Sequence, residues 1–170
     1  MMIKKYTLAV LIGALAFVGY ACDSNSSGNN NSEVEVIVGT WVSEGAENVS
    51  LGLQLISKTA RIDAEFNENG TYNVVSTDSL GSEVVFTGTF ELGEETDSGI
   101  RSITLTEQPA TKAVVSGGIF QIEGNLMTYE VIQTEPNIGA EAPTVEGGFG
   151  STLVGGDAQG TLWVQKYERQ

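Results

Sequence analysis

Val84-Val85-Phe86-Thr87-Gly88-Thr89-Phe90-Glu91-Leu92 decides the fold. Val84, Phe86, Phe90 and Leu92 share one face, with Gly88 between them, while Thr87, Thr89 and Glu91 share the other. A period of two marks a half-buried antiparallel strand. Runs of the same character, rich in branched and aromatic residues, cover 34–42, 60–66, 71–77, 100–107, 113–123, 126–133 and 161–167. Asn69-Gly70 and Gly124-Asn125 are hairpin signals, and 93–99 is a longer polar connection. The stretch 51–58 reads two ways. Leu51, Leu53 and Leu55 alternate as in a strand, yet Gln54 and Ile56 also suit a short helix. Nowhere do 10–15 residues of helical periodicity alternate with the strands, which excludes a doubly wound fold. The expectation is an all-β chain, an antiparallel up-and-down β-barrel of about eight strands, since closure removes the edges that invite aggregation.

One interruption breaks the pattern. Residues 134–160 hold Pro136, Pro143 and seven glycines, which predicts a long loop on one rim. Loops of that length in a compact domain are functional or disordered, so it reads either as a lid over the barrel mouth or as a mobile insertion.

The start of the chain reads as an address. Lys4 and Lys5 precede an apolar run over residues 8–18 and then Gly19-Tyr20-Ala21-Cys22. This is the order of a bacterial secretion signal, with an apolar run well short of the roughly 20 residues that span a bilayer. The cysteine directly after Ala21 resembles the lipobox of bacterial lipoproteins, which implies cleavage before Cys22 and diacylation of its thiol. The expected organisation is a signal peptide over 1–21, a polar tether over 22–33 with no apolar side chain after Cys22, and a barrel domain over 34–170. Asp23 beside Cys22 resembles an inner-membrane retention signal, while an acidic tether resembles a surface-export signal. The outer membrane or cell surface is the expected destination.

Composition removes most familiar chemistry. The 170 residues carry 22 acidic and 8 basic side chains, a formal net charge of −14, so a nucleic-acid partner is excluded for want of a positive footprint. The same charge repels anionic headgroups, leaving the acyl chains as the membrane contact. Histidine is absent and Cys22 is the only cysteine, which removes a Ser-His-Asp or Cys-His apparatus, a His/Cys zinc site and any internal disulfide. Glu94, Glu95 and Asp97 cluster on a turn without the spacing of a calcium loop, and read as a solvated hairpin tip. Neither an enzyme, a cofactor nor a metal is expected.

A family resemblance runs through the barrel segments. Gly39-Thr40-Trp41, the hairpin Phe66-Asn67-Glu68-Asn69-Gly70-Thr71-Tyr72, and then 87–92, 103–105 and 124–129 are similar to the lipocalin-like domains of bacterial lipoproteins. The resemblance implies that Trp41 plugs the base of the barrel, that Lys166 or Arg169 stacks on it, and that the interior takes a small apolar ligand. Trp41, Phe66, Tyr72, Phe86, Phe90, Leu105, Met127 and Tyr129 are the candidate ligand-binding residues, and Cys22 is the lipidation site. An eight-stranded barrel is just wide enough to be filled by side chains or to hold one small molecule, so these aromatics read either as plain core or as a pocket lining. The expected function is a lipid-anchored binding module outside the cytoplasm. The alternative is a structural or protein-interaction module of the cell envelope without a ligand.

Overall fold

Consecutive period-two segments joined by short turns pair most readily with their neighbours in sequence, and here each does so in order. The computed structural model describes residues 37–108 and 114–170. The predicted signal peptide, Cys22 and the tether lie outside the described residues.

The long strands are β1 (Gly39–Glu44), β2 (Thr59–Phe66), β3 (Thr71–Asp78), β4 (Glu83–Leu92), β5 (Arg101–Glu107), β6 (Val115–Glu123) and β7 (Leu126–Glu135), with β11 (Val164–Arg169) last. They close into one antiparallel barrel in which each strand pairs with the next, β11 returning between β7 and β1. The closing register sets Trp41 opposite Arg169 and Tyr129 opposite Gln165. The eight-strand, up-and-down expectation is therefore met. The ends move by a few residues: the last strand starts at Val164 because Gly160–Trp163 first makes a turn of 3₁₀ helix.

Residues 51–58, open between strand and helix, fold as α1 (Leu51–Ser57). No barrel edge is free to receive a strand there, since β1 already pairs with β2 from Gly39–Phe66 to Glu44–Arg61. Gly52 lets the helix lie flat on Trp163, where an added Cβ would sit 2.6 Å from the ring. The Gln54 amide ties the helix to the preceding loop by donating to the carbonyls of Val49 (2.6 Å) and Ala46 (3.1 Å).

Residues 134–160 are neither a featureless loop nor a simple lid. The segment begins as the end of β7 and then forms a small sheet of β8 (Ala140–Glu141), β9 (Leu153–Val154) and β10 (Asp157–Ala158). Gly155 and Gly156, at φ +61° and +86°, make the two-residue turn between β9 and β10. This sheet lies against the outer wall of β6 and β7. Ala142 packs closely over Gly117 of β6, where an added Cβ would lie 3.2 Å from the Ala142 Cβ, and Ile119 and Ile132, on the outer face, are buried.

The inner core is packed at one end. Trp41, Phe66, Phe90, Ile103, Phe120 and Met127 are buried there with Tyr167, and Phe66 meets Phe90 edge to face at 5.2 Å. Trp41 donates its indole N–H to the Ile37 carbonyl (2.8 Å), and the Arg169 guanidinium lies 4.1 Å over its ring. Of the two basic candidates for this stack, Arg169 takes it. Gly39 explains its own identity: its φ is +129°, and an added Cβ would press on Arg169 Nη1 at 3.1 Å. Arg101 closes the same end from inside, donating through Nε and Nη2 to the Gly93 carbonyl with its guanidinium 5.9 Å from the Phe120 ring.

Candidate functional site

Strand polarity puts α1, the β3–β4 turn and the segment after β7 at the end opposite Trp41. Here the barrel is not filled. An inner chamber of about 370 Å³ is lined by inward residues of β2 to β7 and β11, among them Ile62, Tyr72, Val74, Phe86, Leu105 and Tyr129. A second chamber of about 500 Å³ opens between α1, β7 and the small sheet, with Leu53, Ile56, Val131, Ile138, Ala140 and Val154 in its walls. Leu53, Tyr129, Gln133 and Gln165 line both. Each volume lies within the range of roughly 300–1,000 Å³ common for small-molecule sites.

The candidate residues divide by height in the barrel. Tyr72, Phe86, Leu105 and Tyr129 line the inner chamber. Trp41, Phe66, Phe90 and Met127 do not line it; they pack the base. Alternation told which face each residue takes, but the level at which filling stops depends on the register between strands. The residues missed are mainly Gln133, Gln165 and Leu53. The two glutamines sit on predicted strands, yet a lone polar residue at an inward position carries no signal unless its strand phase is followed through. Leu53 belonged to the ambiguous stretch. Glu94, Glu95 and Asp97 are exposed on the loop at the closed end, and no acidic, histidine or cysteine cluster among the described residues is placed to hold a metal.

The chambers are polar in a particular way. Tyr129 meets Tyr167 edge to face at 5.7 Å. Burial pushes the Tyr72 phenol up to about 12, helped by the nearby Glu107, and raises Tyr167 as well. Burial also lifts Tyr129 well above the ordinary phenol value, with Tyr167 and Tyr72 adding to the effect. All three phenols are neutral near pH 7 and offer O–H groups to the interior. Among the described residues, Glu107 is the one charged type lining the inner chamber, and no lysine or arginine lines either. Around the mouth, Leu51, Leu55, Ile56, Leu80, Val84 and Val85 are exposed.

No family description, curated protein or solved structure matches the chain. Among the described residues no helix is long and apolar enough to cross a membrane.

Proposed function

We propose that this chain is a lipid-anchored binding module of a bacterial cell envelope, holding a small apolar or amphipathic molecule in the open half of its barrel. The observation that carries the reading is the pair of adjoining chambers, apolar in most of their walls and bordered by an apolar rim through which such a molecule can enter. A core that merely stabilised the fold would be filled to both ends, because unfilled interior forfeits packing energy. The sequence of residues 1–33 supports the anchor, with Cys22 as the acylated residue and the outer membrane or cell surface as the destination.

Two measurements test this. An environment-sensitive apolar dye should enter the wild-type protein saturably, and Leu105→Trp, which fills the inner chamber from β5, should weaken uptake at least about tenfold while the fold is kept. Absence of saturable uptake by the wild type would leave the scaffold reading, a barrel that works only through its surfaces. Separately, Cys22→Ser should release the protein from the membrane fraction. A Cys22→Ser protein that stays membrane-bound at unchanged mass refutes lipid anchoring.

A further inference from the structure

We propose that the molecule held in the open half of the barrel is a cationic amphiphile, an alkylammonium whose charged head meets Glu107 beside the rings of Tyr72 and Phe86. The inference rests on the binding reading above and narrows it.

Glu107 breaks the pattern of its own strand. Alternation along β5 turns Ile103, Leu105 and Glu107 to the interior; Ile103 is buried in the core, while Leu105 and Glu107 line the inner chamber. A carboxylate at an inward position is costly unless water or a cation serves it. The register shows what stands around it. Tyr72 of β3 pairs with Gly88 of β4, and Gly88 pairs with Glu107. Tyr72 and Glu107 therefore share one row with no side chain on the strand between them. Phe86, two residues before Gly88, takes the diagonal place beside Glu107 and lines the same chamber. Burial first, and then the Glu107 charge, lift the Tyr72 phenol to about 12, which sets the carboxylate within electrostatic reach of that ring. Aromatic rings next to a carboxylate complement an organic cation, since the ring faces attract it and the carboxylate neutralises it.

No described basic residue of the chain takes that place. Arg61 pairs with Glu44 and Asp63, and Arg101 and Arg169 lie over Phe120 and Trp41 at the closed end. Lys58 and Lys166, each next to a lining residue in sequence, are exposed and line neither chamber. Lys112, like Lys4 and Lys5, lies outside the described residues. An anionic head would face Glu107 with no cation in the described lining, and a neutral one would leave the carboxylate unserved. Ile62, Val74 and Leu105 give the tail apolar walls, and Leu53 leads on into the second chamber.

Octylammonium, 1-octanol and octanoate share a tail length and differ in charge near pH 7. Each is set against the bound dye on the full chain held in nanodiscs of zwitterionic lipid, with partition into empty nanodiscs subtracted. Octylammonium should compete better than both others by at least about tenfold. Glu107→Gln should weaken octylammonium by at least about tenfold while 1-octanol and the dye stay within about twofold of their wild-type values. Glu94→Gln, on the exposed loop at the closed end, should change none of them; an equal loss there would mean diffuse attraction to an acidic surface and overturns the inference. Octanoate or 1-octanol binding as tightly as octylammonium also overturns it while leaving the binding reading in place. So does a preference for octylammonium that emerges only in Lys112→Gln, because the chain would then pair the carboxylate itself. The wild-type comparisons hold even if a variant does not fold. If neither the dye nor, by calorimetry, any of the three enters, the binding reading itself fails.

Discussion

Trp41→Ala is expected to lower unfolding free energy by about 3–5 kcal/mol, the range for deleting a large buried aromatic. In a domain of this size that lowers the melting temperature by roughly 10–20 °C, readable by circular dichroism. The ring is fully buried and everything at the closed end is built on it. Its N–H holds the Ile37 carbonyl, and its face carries Arg169, whose Nη1 reaches the Val38 carbonyl at 2.8 Å. Removing the ring therefore opens a cavity and also loosens the last strand from the segment entering the first. Trp41→Phe separates these effects: it keeps most of the apolar volume but leaves the Ile37 carbonyl unserved, for a smaller loss of about 1–2 kcal/mol. In a double-mutant cycle with Arg169→Met, the stack should appear as a coupling of about 0.5–2 kcal/mol. A loss below about 1 kcal/mol for Trp41→Ala would mean that the closed end does not depend on this residue.

The fold was legible in the sequence because its determinants are local. A strand phase such as that of Val84, Phe86 and Phe90, and turns such as Asn69-Gly70, are readable within a few residues, and eight of them in series leave a closed meander as the economical solution. The place of Trp41 at the base, with a basic residue over it, came from the family resemblance and not from periodicity; the glycine two residues before it, at φ +129°, lies beside the Arg169 that takes the stack. The site was legible only by half. Tyr72 and Met127 are equally inward in sequence and both join the core, yet Tyr72 also lines the chamber and Met127 does not. What separates them is height, a property of register around the whole barrel. The small sheet was hidden differently. Gly155-Gly156 between Val154 and Asp157 is a two-residue hairpin signal, masked by five further glycines that made the whole segment look structureless.

The two ends of the barrel then differ in what lines them. Cations serve the closed end, where the buried Arg101 and the half-buried Arg169 sit over aromatic rings. In the described lining of the open end, cations are replaced by phenols and amides. The aromatic packing is concentrated below and the open space above, an arrangement in which the chambers can remain unfilled because the base alone closes the core.

Glu130→Leu is expected to detach the small sheet from the barrel. By strand phase Glu130 belongs to the outer face of β7, where an acidic side chain is ordinarily solvated, yet it is 0% exposed. Its carboxyl accepts from the Gly150 N–H (2.6 Å), the Thr152 N–H (3.3 Å) and the Thr152 hydroxyl (2.5 Å). Leucine of similar bulk leaves these donors unserved at about 1–3 kcal/mol for each that stays buried, so docking should weaken by about 3–5 kcal/mol. The segment can escape that penalty by lifting into water, which caps the loss of global stability at the free energy of docking. Hydrogen exchange at the amides of Gly150 and Thr152 should therefore accelerate by a factor of several hundred or more while β2 to β5 keep their protection. Glu130→Gln, which keeps an acceptor oxygen, should lose less. Lifting the sheet removes Ile138, Ala140 and Val154 from the outer chamber, so dye uptake should weaken together with exchange protection. Unchanged exchange at Thr152 in Glu130→Leu would show that apolar contacts such as Ala142 over Gly117 hold the sheet by themselves, and that Glu130 has no part in shaping the site.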